Sequence, residues 1–222
     1  MIEVSWCGHS YVVLNIVERG LTIAIDPHDG ISVGLPSCRL EADIVLVTHD
    51  HYDHNAIDMA RGSRSVVLKA VSGKKSISGV DIEGYLFYHD KSKGRLRGLT
   101  TAYCIRVDNI RICHLGDIGH IPEERQLEGL RDADALFVPV GGVYTIDGRE
   151  AWELIQILKP RLVVPIHYWT PGSLLPLDPL NVFLDTAKTQ RIRLESNKFR
   201  LPLEKSLEKT TIMIPRLSEP LR

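Results

Sequence analysis

No apolar run in this sequence approaches the roughly 18 residues that a membrane span requires. The opening "MIEVSWCGHS" also lacks a basic region followed by an apolar stretch, so no secretory signal is expected. Neither sign of charge is in excess: 27 basic and 28 acidic residues leave a net charge of -1, which gives no general attraction to nucleic acid or acidic membrane. The four cysteines, Cys7, Cys38, Cys104 and Cys113, show no C-x-x-C or similar ligand spacing. Reduced, mostly buried thiols in a cytoplasmic protein are expected from them. No Pro/Gly/Ser-rich linker, internal repeat or low-complexity tract divides the chain, so residues 1–222 read as a single domain. What remains is ordinary for a soluble globular protein, with 44% apolar and 25% charged residues.

The first half reads as short strands: "IEVSWC", "YVVLNIV", "LTIAID", "DIVLVTH", "SVVLKA" and the alternating "VDIEGYLFYH". Between them "HNAIDMARG" predicts a short helix closed by Gly62. In the second half "TAYCIRV" and "NIRICHLG" predict a hairpin across "DN". Helices are expected over "IPEERQLEGL", over "DGREAWELIQILKP" with Asp147 as its cap, and over "DPLNVFLDTAK". The buried strands "DALFVPV" and "RLVVPIH" and a closing "TTIMIPRL" alternate with them. Hairpins followed by strand–helix–strand alternation imply an α/β protein with helices outside mixed sheets.

One stretch stands apart. "THDHYDHN" puts His49, His51, Asp53 and His54 within six positions, directly after the apolar "DIVLV". His49 and His51 are two apart and share a side of an extended segment, so they can hold one cation. Asp53 and His54 lie where the chain must turn, and can face a second. Other apolar runs also end at a polar residue: "GYLFYH" at His89, "ICHLGD" at Asp117 and "RLVVPIH" at His167, with His114 three residues before Asp117. His89 and His114 compete for the remaining place on the first cation. Residues three apart in an extended strand face opposite sides. If Asp117 reaches the metals, His114 therefore does not, unless Gly116 breaks the strand, and His89 is favoured.

With these residues placed, the sequence resembles the metallo-β-lactamase superfamily over nearly its whole length. "HDHYDH", "HLGD", "PIHY" and the early "IDP" around Asp26 carry the match. It is most similar to a branch of small prokaryotic metal-dependent hydrolases through "GHS", "HD…GRLRG" and "VPVGG.YTID". The resemblance implies a four-layer αββα sandwich with two zinc ions at one edge, manganese or iron being compatible with the same ligand types. It assigns His49, His51 and His89 to one metal, Asp53, His54 and His167 to the other, and Asp117 as the bridge. Ile118 stands where tRNA-processing relatives usually have threonine, and His51 where flavodiiron relatives have glutamate; both departures point away from those chemistries.

A pair of zinc ions implies a bridging hydroxide near neutral pH. By analogy with the family, Asp53 also orients that nucleophile. His114 or His9 is the expected proton donor to the leaving group. For substrate, "KSKGRLR" (91–97) offers Arg95 and Arg97 to a phosphate or carboxylate. Tyr144 and Thr145 are expected at the same rim, and Tyr168 and Trp169 at an apolar wall. The function expected is a hydrolase for a small anionic ester, lactone or phosphodiester. The alternatives are a ribonuclease or phosphodiesterase acting on nucleic acid, which the near-zero charge disfavours, and a non-catalytic metal-binding protein of the same fold. A small-molecule substrate is expected and a membrane partner is not; self-association into a homo-oligomer is left open.

Overall fold

The computed structural model describes residues 1–203, 207 and 209–217. The β-branched runs at the start become β1 (Ile2–Trp6), β2 (Val12–Ile16), β3 (Leu21–Ile25), β4 (Ala42–Val47) and β5 (Arg61–Lys69). Then come β6 (Gly73–Ile77), β7 (Val80–Tyr88), β8 (Leu99–Val107) and β9 (Ile110–His114). The remainder alternates: α1 (Glu124–Leu127), β10 (Ala135–Pro139), α2 (Gly148–Leu158), β11 (Leu162–Ile166) and α3 (Leu180–Thr186). Three short strands close it, β12 (Gln190–Arg193), β13 (Lys198–Leu201) and β14 (Thr211–Ile214).

These strands build two mixed sheets, ordered β13-β1-β2-β3-β4-β5 and β12-β14-β11-β10-β9-β8-β7-β6. Period-two alternation decides which side chains face the partner sheet. Ile2, Val4, Trp6, Val12, Leu14, Ile23, Ile25, Ile44 and Leu46 enter the core shared with the second sheet. The intervening Val13, Ala24, Val45 and Val47 form a smaller cluster on the outer face, covered by Cys38, Leu40 and Ile57. Helix α2 lies over the second sheet. Its Ala151, Leu154, Ile155 and Leu158 recur at three- and four-residue spacing and are buried. Asp147 caps it as expected, its Oδ1 accepting from the Arg149 and Glu150 N–H groups at 2.9 Å each. The architecture is the expected α/β sandwich of mixed sheets, with few helices.

Three local expectations are corrected. The helix expected over residues 54–62 is only a single 3-10 turn, Ile57–Met59, and Gly62 lies inside β5. Neighbouring loops take that segment's backbone groups: Ala56 N–H donates to Pro27, while the Met59 and Ala60 carbonyls accept from Leu40 and Ala42. Strands β6, β12 and β13 were not anticipated, because "GKKSI", "QRIR" and "KFRL" carry little apolar character and gain their order by pairing with β7, β14 and β1. The cysteines are not free thiols: Cys7 pairs with Cys38 and Cys104 with Cys113. Cys104 and Cys113 sit directly opposite in the β8–β9 register, a proximity that sequence spacing does not carry. Among the described residues, no helix is long and apolar enough to cross a membrane.

Candidate metal centre

Strands β3 and β4 run parallel, as do β9, β10 and β11, so their C-terminal ends collect at one edge. Crevices outside such ends are where open α/β sheets bind ligands. Here β3 delivers Asp26, β4 delivers Thr48 and His49, β7 delivers His89, and β11 delivers His167. Strand β9 stops at His114. Gly116 then adopts φ 55°, where an added Cβ would lie 2.6 Å from Thr100 Oγ1 and 2.9 Å from Thr48 Cβ. This break swings Asp117 into the site, where its N–H donates to Thr100 Oγ1 at 3.2 Å.

Asp117 Oδ2 is the hub. The Nε2 atoms of His167, His54, His89 and His49 lie 3.0, 3.3, 3.5 and 3.8 Å from it. Two ligand groups flank the hub, each with donor atoms within 4.8 Å of one another: His49, His51 and His89 on one side, and His9, Asp53, His54 and His167 on the other. A third group, His49, His54 and Asp117, joins them.

A buried layer fixes the imidazoles. Asp26 accepts at Oδ1 from the Thr48 N–H and at Oδ2 from the Thr48 hydroxyl, both at 2.7 Å. Its Oδ2 also lies 3.0 Å from His54 Nδ1, and Thr48 Oγ1 lies 3.0 Å from His49 Nδ1. The second nitrogens of His54 and His49 are thus held, so that their Nε2 atoms face the hub. His9, Asp26 and His167 take left-handed φ values of 49°, 51° and 51°, a conformation that non-glycine residues adopt rarely and that concentrates at functional sites.

Of the two expected proton donors, the structure brings one to the cluster. His9 Nε2 lies 3.1 Å from Asp53 Oδ2, and the His9 carbonyl accepts from the Trp6 indole and the His167 N–H. His114 has both nitrogens engaged away from the cluster, Nε2 at 2.9 Å from the Ser10 carbonyl and Nδ1 accepting from the Gly116 N–H. Gly116 does break the strand, yet His89 rather than His114 stands with His49 and His51.

Burial, with the neighbouring His54, drives the His49 pKa down to about 2. Burial and the adjacent His167 push His9 down to about 3. Their lone pairs are therefore free at neutral pH. Burial opposes the charge on Asp117 as well, but the imidazoles of His167 and His54 outweigh it and hold the carboxyl well below its ordinary range. Burial likewise lowers His54, but the carboxylates of Asp117, Asp53 and Asp26 prevail and raise it well above the usual imidazole value.

These residues fit a metal. His49 Nε2 and Asp117 Oδ1 are buried and have no hydrogen-bond partner among the described residues, while the Nε2 atoms of His54, His89 and His167 crowd the single oxygen Asp117 Oδ2. Buried polar atoms rarely stay unpaired, and imidazole and carboxylate donors are those that zinc, manganese and iron accept.

Above the ligands lies a cavity of about 370 Å³, lined by His51, Tyr52, Asp53, His89, Arg97, Asp117, Tyr144 and Leu175. The Arg97 guanidinium sits 4.4 Å over the centre of the Tyr144 ring. Arg95 is absent from that lining; its Nε donates to the Ser92 carbonyl. Thr145 turns inward to the Ile146 carbonyl, and Tyr168 stacks on Trp6 at 5.5 Å in the core. Sequence reasoning missed Tyr52 and Leu175 as cavity walls and Thr48 as a ligand support. The positions of Thr48 and Tyr52 inside "THDHYDHN" could have flagged two of them.

The chain is similar to known proteins over most of its length. Residues 3–167 match the family described as Beta-lactamase superfamily domain. A metal-dependent hydrolase from Thermococcus kodakarensis is 31% identical over 200 residues, covering 77% of this chain and 87% of that protein. A crystal structure from Thermotoga maritima, assigned to the Zn-dependent hydrolases of the metallo-beta-lactamase superfamily, is 30% identical. It superposes with a TM-score of 0.76 over 96% of this chain and 99% of that one. Igni18, a metallo hydrolase from Ignicoccus hospitalis, shares the fold at 24% identity and a TM-score of 0.63, over 84% of this chain and 90% of its own.

Proposed function

Because the chain belongs to the metallo-β-lactamase superfamily, we propose that it is a metal-dependent hydrolase with a dinuclear zinc centre, acting on a small anionic ester, lactone or phosphodiester. One observation carries this reading: two ligand groups from four separate segments meet around a single carboxylate oxygen, Asp117 Oδ2. His49, His51 and His89 would hold one ion, Asp53, His54 and His167 the other, with Asp117 between them.

Metal ions bound there would lower the pKa of water and polarise a carbonyl or phosphoryl oxygen. The chain's own residues set the conditions for that chemistry. Neutral imidazoles at His49 and His9 require no deprotonation before a metal binds or a substrate enters. Held well above the usual imidazole value by its carboxylate neighbours, His54 would have to give up its proton before holding a metal, which would couple affinity to pH. His9 orients Asp53 through the 3.1 Å contact, so that the carboxylate presents a fixed edge to the cavity. The cation on Arg97 and the phenols of Tyr52 and Tyr144 face the incoming substrate. The cavity suits a compact molecule in volume.

Zinc reconstitution followed by elemental analysis tests the centre. Close to two ions per chain are expected for the wild type and one or fewer for His51→Ala. A screen of lactones, phosphodiesters and thioesters should find hydrolysis that falls to background in the same variant. A wild-type protein that retains no transition metal, or a His51→Ala variant with full rate, would overturn the reading.

A further inference from the structure

The segment 91–97 carries four cations, but the structure treats them differently. Lys91 pairs with Glu150 at 2.5 Å, Arg95 turns back to Ser92, and Lys93 lies exposed. Arg97 alone of the four lines the cavity, and among the described residues no carboxylate pairs with it. Its charge is held over the Tyr144 ring instead, which leaves the edge donors of the guanidinium open.

What holds Arg97 there is Asp90, the residue after the ligand His89. Asp90 Oδ1 accepts from the N–H groups of Ser92 and Gly94 at 2.7 and 3.0 Å, and Oδ2 from those of Leu96 and Arg97 at 3.0 and 2.8 Å. The loop closes on the ligand itself, with the His89 N–H donating to the Gly98 carbonyl at 3.0 Å. Desolvation pushes the Asp90 carboxyl up, yet the four N–H donors prevail and keep it below its ordinary value. A side chain with 8% exposure that spends both oxygens on one loop dictates that loop's shape.

We propose that Asp90 is a positioning residue that fastens Arg97 to the metal-binding frame, and that the Arg97–Tyr144 pair grips a second oxyanion on the substrate, a carboxylate or phosphate remote from the bond that is cut. This deepens, and rests on, the hydrolase reading above: the metals would take one end of the substrate and Arg97 the other. A planar guanidinium with open edge donors suits bidentate recognition of such a group. Its distance from the ligands is fixed because both hang from the same short segment, 89–98.

Calorimetric titration of zinc-loaded full-length chain tests this, using dicarboxylates from malonate to adipate and the matching ω-phosphonocarboxylates. Each is compared with the monocarboxylate of equal length. At least one doubly anionic probe should bind tenfold or more tighter than its monoanion, and the better series identifies the oxyanion. That gap should collapse in Arg97→Ala and in Asp90→Asn, recover in part in Arg97→Lys, and fall no further in the Asp90→Asn/Arg97→Ala double variant. Zinc content measured on the same samples should stay at the wild-type level. Equal affinity for dianions and monoanions across both series, or a gap that survives Arg97→Ala, would overturn the proposal. Loss of zinc in Asp90→Asn with the gap intact would reduce Asp90 to a support of His89. Should the wild type bind no zinc, the hydrolase reading fails separately, and the same probes on metal-free chain still report on Arg97.

Discussion

Asp26 has both oxygens committed, to the Thr48 N–H, the Thr48 hydroxyl and His54 Nδ1, so its contribution to the centre is made through other side chains. Replacing it by Asn keeps the shape but removes the charge and turns an amide N–H toward a donor. Asp26→Asn should weaken zinc affinity by about 10- to 100-fold and lower stability by about 1–3 kcal/mol. Competition with a chelator and urea unfolding would measure the two effects. Affinity within a factor of two of wild type would contradict the role given to this carboxylate. Such residues resist sequence reading. His49, His51, Asp53 and His54 declare themselves because imidazoles and carboxylates crowded at the end of a buried strand have few structural explanations. Asp26 and Asp90 fall inside stretches that carry the family resemblance, but their roles, like that of Thr48, were not legible, since the groups they serve are brought to them only by the fold.

At the scale of elements, strands were legible where alternation or continuous apolar runs dominated, and α2 where its cap and spacing agreed. The segment 54–62 misled because its composition suits a helix while its backbone groups are claimed by neighbouring loops. The turn after β9 shows how one element places another. Gly119 packs so closely on the end of β7 that an added Cβ would lie 2.3 Å from the His89 carbonyl carbon, and its N–H donates to the Tyr88 carbonyl at 3.0 Å. Gly119→Ala must therefore push the β7 end or the Asp117 turn aside. The expected result is a loss of about 1–3 kcal/mol, typical of overpacking, together with zinc stoichiometry falling below two per chain. A variant with wild-type unfolding midpoint and full zinc would show that this contact does not set the position of His89.

For the whole molecule, a buried histidine outside the ligand set adds to acid sensitivity. His28 is fully buried, with Nε2 donating to the Cys7 carbonyl at 3.2 Å and Nδ1 accepting from the Gly30 N–H at 3.1 Å. Burial lowers its pKa to about 4, although the Cys7 and Gly8 carbonyls resist that shift. The unfolded chain then binds a proton that the folded chain refuses, so stability falls as pH drops from about 6.5 through about 4. In urea unfolding with chelator present, His28→Gln should flatten the pH dependence in this window by close to one proton. An unchanged slope would place the acid sensitivity elsewhere.

His49, His89 and His167 stand within two residues of strands locked into two sheets, whereas Arg97, Tyr144 and Leu175 hang from the connections between elements. A lineage carrying this frame can therefore revise what enters the mouth by editing a few codons in its loops, while the machinery beneath is inherited intact. Appetite and apparatus are separable traits in such a molecule, and selection can act on the first without endangering the second.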